Sequence, residues 1–519
     1  MPSETSSQSS RTRLLQDLQS DDAYPHPVDQ PIEVHETHIS IVFLAGDYAY
    51  KVKKTIKTSF LDYTTLAKRK TLCEEELRLD RRYAPELYMD VVPICLVDNR
   101  LKIGGDGEPV EYAVKMRRFP KEALLSERIE TGKVTTEQIS QLAATIADFH
   151  STAEICEGEF AAGWADFVTQ NLAEILQTLE PVGDATTAST LRVIRTWSQD
   201  FQREHASAFR TRTEDHFIRE CHGDLHLQNV VNWNGRLIPF DGIEFNKRLR
   251  CIDVMSDSAF TAMDLAARGH LDLSRSFINA YFEHTGDYSS IVLLRWYLCY
   301  RSIVRALVAS IRSSNQGATD EEKRLAKEDC RKHVDLAYRF TLRQAPGLWI
   351  THGLSGSGKT TISESVVQRR EAIRLRSDIE RKRHFGLKPT ERPTESQKEL
   401  LYSEATNREL YERLRTQASQ ILKAGYSVIV DATFLKQRER ERFRQTAEQE
   451  GVSFAILECH ADIQTLRQRV VDRLAKNSDA SDADLEALNH QLATNEPITG
   501  AEREFVVDIP DRIQTVETL

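Results

Sequence analysis

Two short stretches of this chain carry residue types and spacings that suit phosphate chemistry. The first is CHGDLHLQNVV, in which Asp224 follows His222 and precedes Asn229. A carboxylate can accept a proton from a hydroxyl group, and a nearby amide oxygen can bind a divalent metal ion. The second is GLSGSGKTT, a glycine-rich stretch that ends in Lys359, Thr360 and Thr361. Backbone N–H groups in such a stretch, together with a lysine, can surround a phosphate group.

The composition bounds the kind of protein that carries these stretches. With 519 residues, the chain is long enough for about three folding units. Charged residues make up 29% and apolar residues 40%, as in a globular chain, and the net charge of -10 argues against general nucleic-acid or membrane-surface binding. No apolar run reaches about 18 residues and no hydrophobic signal core is present, so we expect a cytoplasmic protein.

The eight cysteines are scattered along the chain and form no CxxC pair. They are Cys73, Cys95, Cys156, Cys221, Cys251, Cys299, Cys330 and Cys459. This distribution suits a reducing cytosol and predicts no zinc site.

Hydrophobic patterning divides the chain into four segments. Residues 1–29 are rich in Ser, Thr and Asp, which predicts a disordered tail. Residues 30–119 alternate as strands around a Gly46-Asp47 turn and contain one helix, whereas residues 120–343 are mainly helical. Residues 344–519 begin with a strand, a glycine-rich turn and a helix, which predicts a parallel sheet. The predicted fold class is multidomain α/β and α+β.

The first stretch matches the kinase spacing H-x-D-x-x-x-x-N, in which the aspartate orients the substrate hydroxyl and the asparagine binds magnesium. Further along, the apolar stretch LIPF is followed directly by Asp241. A carboxylate at the end of a strand can reach the same metal ion.

HGDLHLQN followed by FDGIEF resembles the aminoglycoside phosphotransferase-like branch of the protein-kinase fold, over roughly residues 30–340. The resemblance implies a bilobal unit in which Asp224 is the catalytic base, and Asn229 and Asp241 bind Mg²⁺. It also implies a small-molecule hydroxyl as the acceptor and a bracing role for His222. No G-x-G-x-x-G loop is present, and no acidic pocket for an aminoglycoside is evident.

Three further positions fit this resemblance. Lys51 stands where the family has its phosphate-binding lysine, with Lys53 as an alternative register. Glu76 lies on the predicted helix and can pair with Lys51. Asp253 and Asp257 are interpreted as structural caps or braces.

The second stretch satisfies G-x-x-x-x-G-K-[ST], a phosphate-binding loop or P-loop. Its predicted ATP-binding residues are Gly353, Ser355, Gly356, Ser357, Gly358, Lys359, Thr360 and Thr361, and Thr360 is also a predicted Mg²⁺ ligand. Asp431, which ends the apolar strand YSVIVD, is a second predicted Mg²⁺ ligand.

Asp378 follows a strand-like run and is a candidate base, although it could instead cap the helix that starts at Ile379. Arg469 and Arg473 share a helical face and could contact ATP, or they could be solvated.

Residues 345–519 resemble the P-loop kinases that include gluconate kinase and the zeta toxins. This resemblance implies Asp378 as base and Arg381 as an acceptor contact. Residues 369–392 contain nine Lys or Arg and four Asp or Glu. A solvated surface is the default interpretation of such a basic segment, and an anionic acceptor is the alternative. Phe385 is the one aromatic residue of this segment, which argues against stacked nucleic acid.

The predicted function is a tandem ATP-dependent, Mg²⁺-dependent phosphotransferase acting on hydroxyl groups of small molecules. Two alternatives remain. The P-loop unit could be an ATP-sensing switch for the first unit, or the first unit could be a kinase-fold scaffold without catalysis.

Overall fold

The computed structural model describes residues 4–28, 30–57, 61–476 and 479–508. They form two compact units, each assembled from separated segments. The first unit draws on Met1–Gln138, Asp148–Ala165 and Arg212–Thr261, and the second on Ile139–Ala147, Asp166–Thr211 and Ala262–Leu519.

The first unit begins with two helices and a six-stranded antiparallel sheet. The elements are α1 (Glu4–Asp17), β1 (Glu33–Glu36), β2 (Ser40–Ala45), β3 (Tyr48–Lys53), α2 (Leu66–Asp80), β4 (Tyr88–Val97), β5 (Arg100–Ile103) and β6 (Pro109–Arg117). The strand order is β1-β2-β3-β6-β4-β5. Lys51 lies opposite Val42 of β2 and Val114 of β6, so it is held in the middle of the sheet.

The N-terminal segment differs from the predicted disordered tail. Residues Glu4–Asp17 form α1, and Leu14 and Leu18 are buried against the sheet together with Tyr24. A stripe of leucines four residues apart offers an apolar face to the sheet, and tertiary packing of this kind offsets the low average hydrophobicity of the segment. Residues 1–3 and 29 lie outside the described residues.

Two small sheets position the HGDLHLQN segment. The elements in this part of the chain are α3 (Leu125–Glu130), α4 (Thr136–Thr152), α5 (Glu159–Ala162), α6 (Trp164–Leu179), α7 (Ala185–Glu204), α8 (Ala206–Glu214), β7 (Ile218–Glu220), β8 (Val230–Trp233), β9 (Arg236–Pro239), α9 (Lys247–Arg250), β10 (Cys251–Asp253) and α10 (Val254–Ala267). β7 pairs with β10 and β8 pairs with β9, both antiparallel. Because the segment runs from β7 to β8, its two ends are fixed by different sheets.

Three long helices open the last part of the second unit. They are α11 (Leu271–Thr285), α12 (Ile291–Ser313) and α13 (Asp320–Thr341). α13 starts with a capping box in which Thr319 accepts from the backbone N–H of Glu322, whose side chain bonds back to the cap. Of the helices in the described residues, none is both long and apolar enough to cross a membrane.

A five-stranded sheet, parallel throughout, completes the second unit. Its elements are β11 (Gly347–His352), α14 (Lys359–Arg369), β12 (Ala372–Arg376), α15 (Ser377–His384), α16 (Glu395–Leu401), α17 (Glu404–Lys423), β13 (Ser427–Asp431), α18 (Gln437–Glu450), β14 (Ser453–Glu458), α19 (Ile463–Lys476), α20 (Leu485–Thr494) and β15 (Val506–Asp508). The order is β12-β13-β11-β14-β15. β11 is therefore central, and the glycine-rich stretch leaves its carboxyl end. The predicted fold class is confirmed.

α11 packs against the edge strand β12 of this sheet. Asn279 of α11 donates to the carbonyl oxygen of Ala372 at 3.0 Å and accepts from the backbone N–H of Arg374 at 2.7 Å. The amide thereby satisfies backbone groups that an edge strand would otherwise leave open. The two units do not follow the predicted limits at residues 119 and 343, and those limits remain predictions about independent folding.

One cysteine pair differs from the reduced state expected in a cytosol. Cys156 and Cys251 form a disulfide, with Cα atoms 6.0 Å apart and a sequence separation of 95 residues. The spacing of cysteines along the chain gives no hint of this pair, because the fold brings Cys251 at the start of β10 next to a distant loop.

Candidate active sites

Lys51 and Glu76 lie together in the first unit, as the sequence predicts. Lys51 Nζ is 2.9 Å from Glu76 Oε1, and the same nitrogen contacts Oδ1 of Asp241. Burial by itself would lower the pKa of Lys51, but the carboxylates of Asp241 and Glu76 hold it well above its ordinary value. β3 thus presents a stable cation between a carboxylate of α2 and one that follows β9.

Lys53 contacts the same glutamate, so the two registers proposed for the lysine do not exclude each other. Lys53 Nζ is 2.6 Å from Glu76 Oε2 and also contacts Glu244. Residues two apart on a strand share a face, which places both lysines over α2. Burial alone would raise the pKa of Glu76, but Lys51 and Lys53 bring it down to about 2. Glu76 is therefore a buried anion between two cations.

Asp224 and Asn229 face each other across the turn that joins them. Asn229 Nδ2 donates to the main-chain oxygen of Asp224 at 3.0 Å and to its Oδ2 at 3.2 Å, and reaches the carbonyl oxygen of Asp241 at 3.5 Å. His226 Nε2 lies 3.3 Å from Asp224 Oδ2. The Asp224 side chain is 38% exposed, so it is oriented by its neighbours and still open to solvent.

His222 braces this turn. Its Nδ1 accepts from the backbone N–H of Asp224 at 3.3 Å, and its Nε2 donates to the carbonyl oxygen of Phe240 at 2.9 Å. Both contacts require a neutral ring, and burial lowers the pKa of His222, which favours that form. The ring links the segment of Asp224 to the strand end that carries Asp241.

Asp257 of α10 is a second brace. Its two carboxylate oxygens accept from the backbone N–H groups of His222 and Gly223, each at 3.0 Å. Gly223 has φ +87°, and a Cβ at this position would come within 2.7 Å of the carbonyl oxygen of Leu249. Glycine is therefore required, and Asp257 fits the bracing interpretation made from the sequence.

Asp241 adopts a backbone conformation that is rare outside glycine. Its φ is +63°, its backbone N–H donates to the hydroxyl of Tyr88 at 3.0 Å, and its side chain is 41% exposed. Strain of this kind concentrates at functional positions. The side chains of Asp224, Asn229 and Asp241 together offer carboxylate and amide oxygens, the donor set that Mg²⁺ prefers.

Asp80 lies directly beside this strained turn. Its Oδ1 accepts from the backbone N–H of Gly242 at 2.8 Å, whereas Oδ2 is buried and, within the described residues, has no hydrogen-bond partner. Burial, and next the charge of Glu76, raise the pKa of Asp80 well above its ordinary value. A protonated carboxyl group at this position can hold the turn without adding negative charge.

The P-loop of the second unit has the backbone that its glycines predict. Gly353, Gly356 and Gly358 have φ of 149°, 84° and 96°. A Cβ at Gly353 would come within 2.5 Å of the carbonyl oxygen of Cys459, and one at Gly356 within 2.9 Å of that of Leu466. The loop is therefore tightly enclosed by neighbouring backbone and leads directly into the N-terminus of α14, where anions are favoured.

The polar atoms of the loop point to an anionic ligand. Lys359 Nζ donates to the carbonyl oxygen of Leu354 at 2.8 Å, and burial lowers the pKa of Lys359 against the opposing charges of Asp431 and Asp378. Ser357 Oγ is buried and has no hydrogen-bond partner among the described residues. Buried polar groups are rarely left unpaired, so a phosphate at this position would satisfy this hydroxyl.

Asp431 ends β13 beside α14. Ser363 Oγ donates to Asp431 Oδ2 at 3.1 Å, and Thr360 is partly buried in the first turn of α14, one turn before Ser363. Thr361 is exposed in the same turn. A buried carboxylate and a threonine hydroxyl on adjoining elements form an oxygen donor set that fits Mg²⁺.

Asp378 lies in the first turn of α15. The N-cap of this helix is Arg376, and no side chain caps it, so Asp378 does not have the capping role that was the alternative. Its charge acts on Lys359 and on the hydroxyl of Tyr402, whose pKa is raised first by burial and then by Asp378. The role of Asp378 as the base stays a prediction.

Arg381 and the basic segment around it differ from the sequence interpretation. The guanidinium of Arg381 donates to the carbonyl oxygen of Leu401 and to Asn407 Oδ1, both at 2.7 Å, so it is engaged in packing α15. Most other cations of residues 369–392 have carboxylate partners: Arg374 with Glu283 and Glu364, Arg376 with Glu283 and Asp479, Lys382 and Arg392 with Asp482, and Arg383 with Glu380. The segment is not a free basic patch, and it gives no support for an anionic acceptor.

Arg469 and Arg473 of α19 both contact loop backbone. Arg469 Nη1 donates to the carbonyl oxygen of Gly356 at 3.1 Å, and Arg473 Nη2 to that of Ala483 at 2.9 Å. Arg473 Nε is buried without a hydrogen-bond partner in the described part of the chain. The backbone N–H of Ser355 donates to Gln491 of α20 at 2.8 Å. α19 and α20 therefore border the P-loop.

Sequence reasoning missed several residues of these sites. Glu244, Gln491, Arg376 and Glu283 have no motif of their own, and only their neighbours in space give them a place. Glu244 was visible in the sequence only as the acidic residue of FDGIE, and the structure shows that it is buried beside Lys53. The other three could not be found from spacing.

Comparisons with known proteins gave a matching family model and similar solved structures. The family model described as AAA domain matches residues 348–498. An APS kinase of Mycobacterium tuberculosis, solved with AMPPNP and APS, is 20% identical with a TM-score of 0.23, over 32% of this chain and 90% of that chain. An ethanolamine kinase of Plasmodium vivax is 12% identical with a TM-score of 0.38, over 60% of this chain and 84% of that chain.

The sheets and the P-loop define the class: a kinase-like N-terminal region joined to a P-loop nucleotide-binding domain. An uncharacterized protein of Mycobacterium tuberculosis is 30% identical over 463 residues, which is 88% of this chain and 89% of the relative. The chain belongs to the same family as this mycobacterial protein.

Proposed function

We propose that this protein is a tandem ATP-dependent phosphotransferase that transfers the γ-phosphate of ATP to hydroxyl groups of small molecules in the cytoplasm. The observation that carries the proposal is the presence of two separate cation-and-carboxylate clusters. In the first, Lys51 contacts Glu76 and Asp241; in the second, Asp431 accepts from Ser363 of α14, the helix that begins with Lys359. Each cluster has the charges that a metal-bound triphosphate needs.

At the first site, Lys51 binds phosphate oxygens and Glu76 keeps it in place. Asp224 accepts the proton of the acceptor hydroxyl, because its carboxylate is oriented by Asn229 and His226 and remains open to solvent. His222 and Asp257 hold the turn so that Asp224 needs little rearrangement during the reaction. Asn229 and Asp241 would hold Mg²⁺ at this site, and Thr360 and Asp431 would hold it at the second, where the bound ion would neutralise charge on the phosphates.

At the second site, the backbone N–H groups from Gly353 to Gly358 surround the phosphates, and Lys359 turns from the Leu354 carbonyl toward them. Ser355 and Ser357 line the loop and Thr361 lies at its edge. Asp378 accepts the acceptor proton, and Arg469 and Arg473 stabilise the transferring phosphate from α19.

Nucleotide binding measured by calorimetry tests the two-site proposal. We expect two molecules of ATP per chain, one of which is lost in Lys359→Ala and the other in Lys51→Met. Lys115→Met is the matched control, because Lys115 lies on β6 over the ring of Tyr48 and outside both clusters. A single ATP per chain that disappears in Lys359→Ala would contradict a tandem enzyme.

Phosphate transfer to a pool of small metabolites, followed with labelled ATP, tests the chemistry. Asp224→Asn should lower transfer from the first site by about 10²- to 10⁴-fold and leave binding of ATP intact. Asp378→Ala should lower transfer from the second site by a similar factor. If ATP turnover at the P-loop survives Asp378→Ala unchanged and no acceptor stimulates it, the P-loop unit is a nucleotide-dependent switch.

A further inference from the structure

Arg376 occupies a position at the P-loop site that no motif assigns. It ends β12 directly opposite Asp431, the end of β13, in the register of the parallel sheet. Arg376 Nε is 3.8 Å from Asp431 Oδ2, and its Nη2 is 3.4 Å from Asp479 Oδ2. The guanidinium is thus near the proposed Mg²⁺ ligand but not in close hydrogen-bonding contact with it.

A third carboxylate holds Arg376 from the opposite element. Glu283 of α11 lies with Oε2 3.8 Å from Arg376 Nη1, and with Oε1 2.6 Å from Arg374 Nε. Arg374 and Arg376 are two residues apart on β12 and present the same face to α11. Glu283 therefore spans both arginines, although it lies far before the P-loop in the sequence.

The balance of charge at Arg376 depends on this glutamate. The nearest carboxylate oxygens of Asp431 and Glu283 are each 3.8 Å from a guanidinium nitrogen of Arg376. Arg376 therefore forms a close ion pair with neither of them. Without the charge of Glu283, the guanidinium would be attracted to Asp431 and Asp479 alone. A movement of less than about 1 Å would bring it into a direct, charge-assisted hydrogen bond with Asp431. A carboxylate paired in this way binds a divalent cation less well, since the metal ion must displace the arginine.

We infer that Glu283 is a positioning residue for the P-loop site: it holds Arg376 away from Asp431 and so keeps Asp431 available to a divalent metal ion. This inference rests on the proposed function of the P-loop site. It also makes α11, from the helical part of the chain, a component of that site.

The test measures ATP binding by calorimetry at a series of Mg²⁺ concentrations, in the Lys51→Met background so that the P-loop site alone is observed. Glu283→Gln should raise the half-saturating Mg²⁺ concentration by roughly fivefold, as expected for one charge interaction of about 1 kcal/mol. Binding of ATP without Mg²⁺ should not change. Asp431→Asn should abolish the Mg²⁺ dependence.

Glu364→Gln is the matched control. Glu364 is the second carboxylate on Arg374, at 2.7 Å from Nη1, and it has no contact with Arg376 in the described ion pairs. Its removal should leave the half-saturating Mg²⁺ concentration unchanged. An equal rise in both variants would mean that Glu283 acts through Arg374 and the packing of α11, which overturns the inference.

The double variant Glu283→Gln with Arg376→Met tests the route through the guanidinium. Once Arg376 is removed, the effect of Glu283→Gln should disappear. Arg376→Met alone should need no more Mg²⁺ than the parent protein, and a higher requirement would overturn the inference even if Glu283→Gln does not fold. If the parent shows no Mg²⁺-dependent binding that Lys359→Ala removes, the proposed function fails; if it does and Glu283→Gln behaves like the parent, only this inference fails.

Discussion

Two lysines of one strand share a single buried glutamate in the first unit. Lys51 and Lys53 each contact one oxygen of Glu76, and each has a further carboxylate, Asp241 for Lys51 and Glu244 for Lys53. Asp241 is 41% exposed, whereas the side chain of Glu244 is 4% exposed. The carboxylate partner of Lys51 is therefore open to solvent, whereas Lys53 and its partner Glu244 lie in the interior.

This difference predicts distinct effects of the two lysines. Lys53→Met should destabilise the unit by about 3–5 kcal/mol, because it leaves the buried carboxylate of Glu244 without its cation. Lys51→Met should lower stability less, and it should remove ATP binding at the first site only. Denaturant unfolding of both variants checks the order.

Glu244→Gln combined with Lys53→Met provides the internal control for this prediction. The double variant should lose less unfolding free energy than the two single variants lose in total, because it leaves no unpaired buried charge. Additive losses would show that Lys53 and Glu244 do not stabilise each other.

At the scale of elements, the parallel sheet depends on a helix outside it. α11 covers β12 and bonds to its backbone through Asn279, while Glu283 one turn later contacts Arg374. Gly286 ends the helix with φ +72°, and a Cβ there would come within 2.5 Å of Arg383 Nε, so the helix terminus lies close to α15. The edge of the sheet is thereby closed by one amphipathic element.

Asn279→Ala should lower the stability of this part by about 1–3 kcal/mol, because the backbone N–H of Arg374 and the carbonyl of Ala372 would lose their partners while buried. Asn279→Asp keeps an acceptor for the backbone N–H of Arg374, so its stability should lie between that of the parent protein and that of Asn279→Ala. Thermal unfolding followed by tryptophan fluorescence, to which Trp349 of β11 contributes, measures the change in stability. Ser276→Ala on the same helix, which removes only a weak contact of 3.4 Å to Glu364, should have little effect.

At the scale of a whole unit, the first one is tied together by a charge cluster. Glu220 of β7 contacts three arginines: Arg78 of α2, Arg82 just after α2, and Arg250 at the end of α9. Burial by itself would raise the pKa of Glu220, but these arginines bring it to about 2 from an ordinary value of 4.5. Segments distant in the sequence are linked through one carboxylate.

This shift predicts how stability depends on pH. Since the folded-state pKa is below the unfolded one, Glu220 contributes stability fully above pH 4.5, and the contribution is lost as pH falls toward 2. Glu220→Gln should therefore be less stable than the parent near neutral pH, and the difference should shrink below about pH 4.5. Unfolding measured from pH 7 downward tests this. Glu74→Gln, an exposed residue of α2, should show no such dependence.

Much of the fold follows from local patterns. The alternation within residues 30–119 predicted strands, which the structure shows as β1 to β6, and the one helix predicted there is α2, whose start is fixed by Thr65 as N-cap. The N-terminal helix α1 was missed, because a weak stripe of leucines becomes stable only when a sheet covers it. The cysteine pair was missed for the same reason, since contact between distant segments has no local signal.

The sequence by itself identified positions at which the residue type is constrained. These positions are the glycines with positive φ in the P-loop, the carboxylates of HGDLHLQN and FDG, and the lysine of β3. These are set by local backbone geometry and by chemistry, which act over a few residues. Tertiary structure alone decided that Lys53 and Glu244 join Lys51 and Glu76, that the basic segment is neutralised, and that Glu283 reaches Arg376. Ion pairs depend on the distance between charges in the folded protein. The sequence pattern of one segment does not indicate which distant segment will pack against it.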